Sequence, residues 1–290
     1  MFRRGSSLPS FDGPDRPSAR DEALATLEPW LAAHRRPAWR PTVEKGEPAG
    51  ERARSKFCGR PWLTAGEAPP GCRECGRPLR LFVQLDLAEL PAELAGRHGE
   101  GVLQFFYCAG ALFGEGDGRP ECNGDDGWVP FSDRVSLVRI VPAGELAPAP
   151  AAAEPLPPST IVGWERFDDV PDPEDHDLVG LAASYDVALR TVTLRCAEVG
   201  LDVTLGLDDL AVEDIARAAE GDKLGGWPSW VQGREYPACP TCGETMQLVL
   251  QLDSQHGGNN VPFMFGDAGI GHITQCPTHL GTVAFGWACS

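Results

Sequence analysis

Short runs of apolar residues, some of which alternate with polar ones, recur along the chain between segments rich in glycine, proline and aspartate. Such runs are typical of β-strands. Strands are predicted in the first half at residues 79–87, 101–108 and 135–141, and in the second half at 187–196, 246–254, 271–275 and 281–287. The pattern therefore indicates a protein built mainly from sheet.

Helical periodicity is confined to two segments. After Ser18, a residue suited to cap a helix, leucines follow at positions 24, 27 and 31, and Pro29 is expected to break or restart this helix. A second helix is predicted over residues 210–220. Between them, residues 36–50 are rich in proline and charge and predict irregular chain.

Three motifs occur twice in the same order, which indicates an internal repeat. A Gly-x-Pro segment is followed by a Cys-x-x-Cys-Gly knuckle and then by a strand that ends in Gln-Leu-Asp. The first copy occupies residues 56–62, 72–76 and 79–86, and the second occupies 223–230, 239–243 and 246–253. We interpret this as a duplicated β-rich unit, in which Gln84 and Gln251 satisfy buried backbone groups.

The repeat and the composition together predict four parts of the chain. Residues 1–50 form an N-terminal arm and helix, 51–141 the first repeat unit, 142–159 a linker rich in proline and alanine, and 160–290 the second repeat unit.

The cysteines suggest metal binding, because structural zinc is held in a tetrahedron by pairs of such ligands. In the first copy, Cys72 and Cys75 form the knuckle and Cys108 is the natural third ligand. Cys122 is the natural fourth, although the long loop that precedes it leaves its ligation open.

The second copy carries a sharper signal. Cys239 and Cys242 are matched by Cys276 and His279, which have the same two-residue spacing. Cys289 is the competing fourth ligand, since it follows Cys276 by nearly the interval that separates Cys108 from Cys122. The sequence thus predicts two structural zinc ions as cofactors.

Neither predicted metal site has the pattern of a catalytic centre. Catalytic zinc keeps an open position and favours histidine and carboxylate ligands, whereas four-ligand thiolate sites are closed. Both knuckles precede a strand, which also differs from a thioredoxin-like redox pair. We interpret Cys58, Cys196 and any unused Cys289 as small buried hydrophobic residues.

Composition adds a strong negative charge. With 42 acidic and 25 basic residues the net charge is −17, which disfavours nucleic acid and anionic membranes as partners and suits a basic protein. An acidic run offers a candidate surface for such a partner, or a merely solvated loop. Its residues are Asp168, Asp169, Asp172, Glu174 and Asp175.

No secretory signal is evident, because the basic N-terminus is not followed by an apolar segment. No run of apolar residues approaches the length needed to span a membrane. We therefore expect a cytoplasmic protein with reduced cysteines.

The quoted segments resemble a known family. Residues 223–232, 246–254 and 265–269, together with the first-half segments 84–91 and 101–106, are similar to the YwqG-like family of bacterial proteins. The Cys-x-x-Cys knuckles before glutamine-rich strands also resemble programmed cell death 2-like proteins. The resemblance implies an α+β fold of two pseudo-repeated antiparallel sheet units with short helices and zinc knuckles.

The resemblance also implies a class of partner. The eukaryotic relatives chaperone a basic small-subunit ribosomal protein, and some bacterial members are suspected immunity proteins that neutralise toxins. We therefore expect a non-enzymatic protein-binding module that captures a basic client, either a ribosomal protein or a toxin. The alternative is a metal- or thiol-dependent enzyme of unknown substrate.

Overall fold

One α-helix, fifteen β-strands and five short 3-10 helices account for the regular structure of the described residues in this computed structural model. The 3-10 helices lie at Leu87–Glu89, Ala92–Leu94, Ala143–Glu145, Pro173–Val179 and Ala197–Val199. The described residues are 17–50, 52–108, 110, 122, 127–149, 155–210, 214–254 and 260–290. The elements are α1 (Ala19–Ala33), β1 (Arg36–Lys45), β2 (Lys56–Phe57), β3 (Trp62–Thr64), β4 (Arg80–Asp86), β5 (Val102–Tyr107), β6 (Ser136–Val141), β7 (Leu146–Pro148), β8 (Ser159–Asp169), β9 (Leu181–Asp186), β10 (Thr191–Cys196), β11 (Leu201–Gly206), β12 (Lys223–Gly225), β13 (Gln247–Asp253), β14 (Ile270–Gln275) and β15 (Val283–Ala288).

The chain divides into two compact units, and the described part of the smaller one comprises residues 17–33, 176–210 and 214–215. In it, α1 contacts a three-stranded antiparallel sheet of order β11-β10-β9. Trp30 is fully buried, and its indole N–H donates to the carbonyl oxygen of Val179 at 2.7 Å. The helix continues through Pro29, so the predicted break there is wrong. Among the described helices, none has the length and apolarity needed to cross a membrane.

The larger unit comprises residues 34–175 and 216–290, and it is organised by one ten-stranded sheet. The strand order is β15-β14-β13-β12-β1-β8-β2-β4-β5-β6, and all neighbours are antiparallel. A strand-rich α+β fold with antiparallel sheets is therefore confirmed. The two edge strands, β6 and β15, lie near each other, so the sheet curls toward a barrel.

The centre of this sheet is a strand that the sequence does not predict. β1 pairs with β8 along its whole length, with a bulge between Thr42 and Val43. The predicted irregular chain over 36–50 is therefore wrong for residues 36–45. The sequence does not predict this strand because it contains Pro37 and Pro41, and proline is rare inside β-strands. On its other side β1 pairs with β12 at only two residues, so few ladder bonds are required there.

Three further expectations need correction. Over the predicted helix 210–220, the described residues 214–220 contain only a short turn followed by chain without regular secondary structure, and residues 211–213 lie outside the described part. The strand predicted from residue 187 begins at Thr191, because the preceding residues form a hairpin turn. Part of the predicted linker is β7, which pairs with β3.

The main core is aromatic and draws on both halves of the chain. Phe82 of β4 packs against Phe263 and Phe265, with ring centroids 4.9 Å and 6.3 Å apart. Phe105 of β5 packs against Phe285 of β15 at 4.0 Å. Burial of such large apolar side chains is the dominant stabilising contribution in a fold of this kind.

Two buried glutamines satisfy backbone groups, as expected. The Gln84 side chain accepts from the Trp62 N–H at 3.0 Å and donates to the Arg54 carbonyl oxygen. The Gln251 side chain accepts from the Ser229 N–H at 2.9 Å and donates to the Gly221 carbonyl oxygen. This prediction is confirmed, and the two halves make the same type of contact at matching motif positions.

Two buried lysines also occupy matching positions but differ in their surroundings. Lys223 Nζ lies 2.8 Å from the Asp169 carboxylate, and both side chains are essentially inaccessible to solvent. Lys56 Nζ lies 2.5 Å from the Glu47 carboxylate, whose side chain is 42% exposed. Burial lowers the pKa of both lysines, and their carboxylate partners oppose that shift.

We predict that Lys223→Met destabilises the protein much more than Lys56→Met. The first change strands a buried carboxylate, which costs about 3–5 kcal/mol, whereas the second leaves Glu47 in contact with water. Urea unfolding of both variants at equal metal loading measures the difference. Equal losses of unfolding free energy would contradict this account.

A buried carboxyl group also lies beside the end of β13. Asp222 accepts hydrogen bonds from the backbone N–H of Asp253 at 2.8 Å and from the Asn260 side chain at 2.7 Å. Burial nevertheless raises the pKa of Asp222 to about 7. In the folded protein this carboxyl group therefore ionises about three pH units above its ordinary range.

We predict that Asp222 makes the unfolding free energy fall as pH rises from about 4 to about 7, at up to about 1.4 kcal/mol per pH unit. The raised pKa means that the contribution of Asp222 is fully present below about 4 and is lost as pH rises through about 7. Asp222→Asn should flatten this dependence, while the exposed control Asp168→Asn should keep it. Denaturant unfolding across this pH range measures the dependence. If the unfolding free energy of Asp222→Asn varied with pH as steeply as that of the wild type, the raised pKa of Asp222 would be refuted.

Candidate metal centres

The first cysteine cluster is built by a tight knuckle in front of β4. The Cys72 N–H donates to the Arg77 carbonyl oxygen at 2.8 Å, and the Gly76 N–H donates back to the Cys72 carbonyl oxygen at 2.9 Å. Gly76 has a φ of 69°, a left-handed conformation that glycine adopts without strain. The backbone therefore folds both thiols of the Cys-x-x-Cys pair onto one side of the turn.

The remaining two thiols of this cluster come from chain that follows β5. Cys108 directly follows β5, and its sulfur lies 3.6 Å from that of Cys75. Cys122 lies further along the chain, and its sulfur is 3.6 Å from that of Cys72. The structure thus brings all four predicted residues together, including Cys122, whose ligation the sequence leaves open.

The second cluster repeats this construction in front of β13. The Cys239 N–H donates to the Glu244 carbonyl oxygen, and the Gly243 N–H donates to the Cys239 carbonyl oxygen, both at 2.8 Å. Cys276 directly follows β14, and its sulfur lies 3.6 Å from that of Cys242. The two clusters therefore lie at the same place in matching hairpins.

His279 provides the fourth ligand atom of the second cluster. Its Nδ1 lies 3.7 Å from the Cys276 sulfur and 3.9 Å from the Cys239 sulfur. The alternative ligand, Cys289, is not part of this group. Its sulfur lies instead close to Gly266, where an added side-chain carbon would come within 2.6 Å of it.

The geometry of both clusters fits a tetrahedral metal ion. In each, the four ligand atoms lie within 4.8 Å of one another. Sulfur ligands at about 2.3 Å from a tetrahedral ion lie about 3.8 Å apart, close to the 3.6 Å contacts observed. Disulfide sulfurs are bonded at about 2.05 Å, so these contacts are not disulfides. Two metal ions can therefore be held.

Hydrogen bonding prepares one thiol for metal binding. Although burial opposes the shift, backbone hydrogen bonds at Cys242 and Thr241 help to lower the pKa of Cys239 to about 6. Thiolates are the form that binds metal. By contrast, burial raises the pKa of Cys58, which is outside both clusters, to about 12. Cys58 is therefore a poor nucleophile, and Cys196 is fully buried.

The five predicted partner-binding acids do not form a continuous exposed surface. Asp169 is bound to Lys223, Asp172 is buried, and Asp175 accepts from the Trp230 indole and the Tyr236 hydroxyl, both at 3.0 Å. Only Asp168 and Glu174 are exposed. The correction has a physical reason: the buried carboxylates anchor the chain that follows β8 to residues 219–236, and a run of charges does not reveal such internal contacts.

The sequence also gave no reason to single out His272 and Thr274. Both lie on β14 and are buried, yet His272 Nε2 and Thr274 Oγ1 have no hydrogen-bond partner among the described residues. The one available signal is the presence of two polar residues, two positions apart, in an apolar strand.

Comparison with known proteins identifies a family. A family model described as "Domain of unknown function (DUF1963)" matches residues 55–288, a range that contains both cysteine clusters. The "Uncharacterized protein YpfL" of Salmonella typhimurium is 57% identical over 30 residues. That match covers 10% of this chain and 7% of the relative, so it carries no conclusion about function.

We predict that the purified protein binds about two divalent metal ions per chain and that Cys72→Ala and Cys239→Ala each reduce this to about one. Each variant should also unfold at lower denaturant concentration, because metal binding contributes directly to folding. Elemental analysis of dialysed protein measures the content. Cys196→Ala, which removes a buried thiol outside both clusters, is the matched control and should keep two ions. Loss of an ion in the control, or none in the wild type, would contradict the assignment.

Proposed function

The chain belongs to the DUF1963 family, and we propose that it is a non-enzymatic protein-binding module, stabilised by two zinc ions, that captures a basic protein. The observation that carries the proposal is the completeness of both ligand sets. Four protein ligands satisfy a tetrahedral ion and leave no position for substrate or reactive water. The metals are therefore structural cross-links.

Zinc is the metal that the donor atoms favour. Sets of four thiolates, or of three thiolates and one imidazole, in a tetrahedron are typical of structural zinc. We propose further that the two knuckles belong to a duplicated unit, since each joins the start of one hairpin strand to the chain after its partner. Ten free cysteines suit a reducing compartment, and we propose the cytoplasm.

The proposed partner follows from charge. A net charge of −17 attracts basic proteins over a long range and accelerates their association. Because three of the five acids in the run are engaged internally, this attraction comes from the whole surface and not from a single loop. The resemblance to YwqG-like and programmed cell death 2-like proteins favours a ribosomal protein or a toxin as the client.

A metal- or thiol-dependent enzyme is the alternative. The lowered pKa of Cys239 is the observation in its favour, but this thiol belongs to a complete ligand set. The alternative requires a fast-reacting thiol in the metal-loaded protein. Titration with a thiol reagent before and after metal removal separates the two proposals: the binding module reacts quickly only after removal, whereas the enzyme reacts quickly in both states.

We predict that the immobilised metal-loaded protein retains purified basic proteins, including small-subunit ribosomal proteins, at about 50 mM salt and releases them at about 500 mM salt. Acidic proteins of similar size are the control and should pass at both concentrations. The double variant Asp168→Asn, Glu174→Gln removes the two exposed acids of the run and should slow association by only a few-fold. Equal retention of acidic and basic proteins, or retention of neither, would overturn the proposal.

A further inference from the structure

A small pocket in the larger unit is lined by two side chains that each have a buried polar atom without a hydrogen-bond partner among the described residues. It is lined by Pro130, Glu235, Pro237, His272, Thr274 and Gly286. The side chains of His272 and Thr274 are each more than nine-tenths buried, and neither His272 Nε2 nor Thr274 Oγ1 finds a hydrogen-bond partner among the described residues. Unpaired buried polar atoms are costly and call for an explanation.

The local sheet geometry directs both side chains into this pocket. His272 and Thr274 are two residues apart on β14, so they point to the same face of the sheet. Gly286 lies directly opposite His272 on β15. An added carbon there would come within 3.1 Å of Pro130 and of the Trp128 carbonyl oxygen. The glycine therefore allows the 128–130 segment to pack close to this face and form one wall of the pocket.

The buried histidine presents a hydrogen-bond acceptor. Burial, with help from the nearby charge of Lys223, lowers the pKa of His272 to about 3, so its ring is neutral at physiological pH. One ring N–H is hydrogen-bonded to the backbone of Ser229. The other nitrogen, Nε2, then carries the lone pair of the neutral ring.

The other polar groups of the pocket complement a cation. The Thr274 hydroxyl can accept a hydrogen bond, and the Glu235 carboxylate supplies negative charge at the exposed side. The free space is about 10 Å³, which is room for about one water-sized group. A lysine ammonium group has that size and three N–H donors, one for each acceptor. The planar guanidinium group of arginine is larger.

We propose that this pocket binds the ammonium group of a lysine side chain from the basic protein client. The assignment rests on the proposed capture of such a protein. Trp128 and Phe131, which are 51% and 43% exposed, lie on the segment that forms the pocket wall and offer apolar surface for the lysine stem. The charge of Lys223 does not repel the ligand strongly, because Asp169 neutralises it.

The direct test follows the His272 side chain by NMR in the full-length, metal-loaded protein labelled with ¹⁵N-histidine. The probes are three short peptides that differ only at one central residue: lysine, arginine or Nε-acetyllysine. The lysine peptide should shift the His272 Nε2 resonance in a saturable manner, and the other two should not. Equal effects of the arginine or acetyllysine peptide would overturn the proposal, as would an unmoved Nε2 resonance, which would mean that the pocket holds only an ordered water.

Two conservative variants remove one acceptor each without disturbing the fold. Thr274→Val should weaken binding of the lysine peptide about tenfold, the loss expected for one hydrogen bond to a charged group. Its unfolding free energy should not fall, because the hydroxyl has no hydrogen-bond partner in the described part of the chain. Glu235→Gln should weaken binding a few-fold in a salt-sensitive way. Glu165→Gln, which removes an exposed carboxylate on β8, is the matched control and should bind like the wild type.

The outcomes separate the pocket from the broader function. If Thr274→Val and Glu235→Gln bind the lysine peptide and retain basic proteins as well as the wild type does, the pocket assignment is wrong while the capture function stands. If the wild type retains no basic protein but its lysine-peptide titration follows the expected pattern, the capture function is wrong and the lysine pocket is supported.

Discussion

The buried ion pair between Lys223 and Asp169 is the contact on which the centre of the sheet depends. Asp169 ends β8 and Lys223 begins β12, the two strands that flank β1. The same carboxylate accepts from the backbone N–H of Trp227 and of Ala219, so it also holds the chain on both sides of β12. A charge buried this deeply is tolerated only when it is fully paired. Gly226 is therefore required beside it, because any side-chain carbon there would collide with the Asp169 carboxylate.

The metal clusters are the second constraint, and each acts at the open end of a hairpin. A knuckle fixes the start of β4 or β13, while the remaining ligands hold the chain that leaves β5 or β14. A metal ion bound at each cluster would cross-link these segments and contribute directly to folding. The ion pair thus joins the two halves at the middle of the sheet, and a metal ion at each cluster would secure the far end of its hairpin.

Sequence reasoning predicts the parts whose cause is local. The knuckles and the core strands follow from spacing and alternation, which nearby residues control. The roles of Gln84 and Gln251 follow from the general rule that buried polar side chains pair with backbone groups. Sequence reasoning fails where distant contacts override local preference. Two prolines argue against a strand at β1, which forms because β8 pairs with it. The acidic run has the sequence of a solvated loop, but Asp169 pairs with Lys223, 54 positions away. The roles of His272 and Thr274 on β14 are not predicted for the same reason, since the burial of their side chains is a property of the folded sheet.

The burial of part of the acidic run changes which residues could attract a basic partner through the net charge of −17. Asp169, Asp172 and Asp175 are used to build the fold, so they cannot be rearranged to meet a partner. Exposed acids elsewhere then provide a diffuse field, which speeds encounter but selects weakly among basic proteins. Selection needs groups that are fixed and desolvated, because a buried acceptor left unpaired penalises every ligand that cannot donate to it. In the larger unit, His272 and Thr274 have that property, and their rigidity comes from the same antiparallel pairing of β14 with β13 and β15 that leads the chain into the second metal cluster.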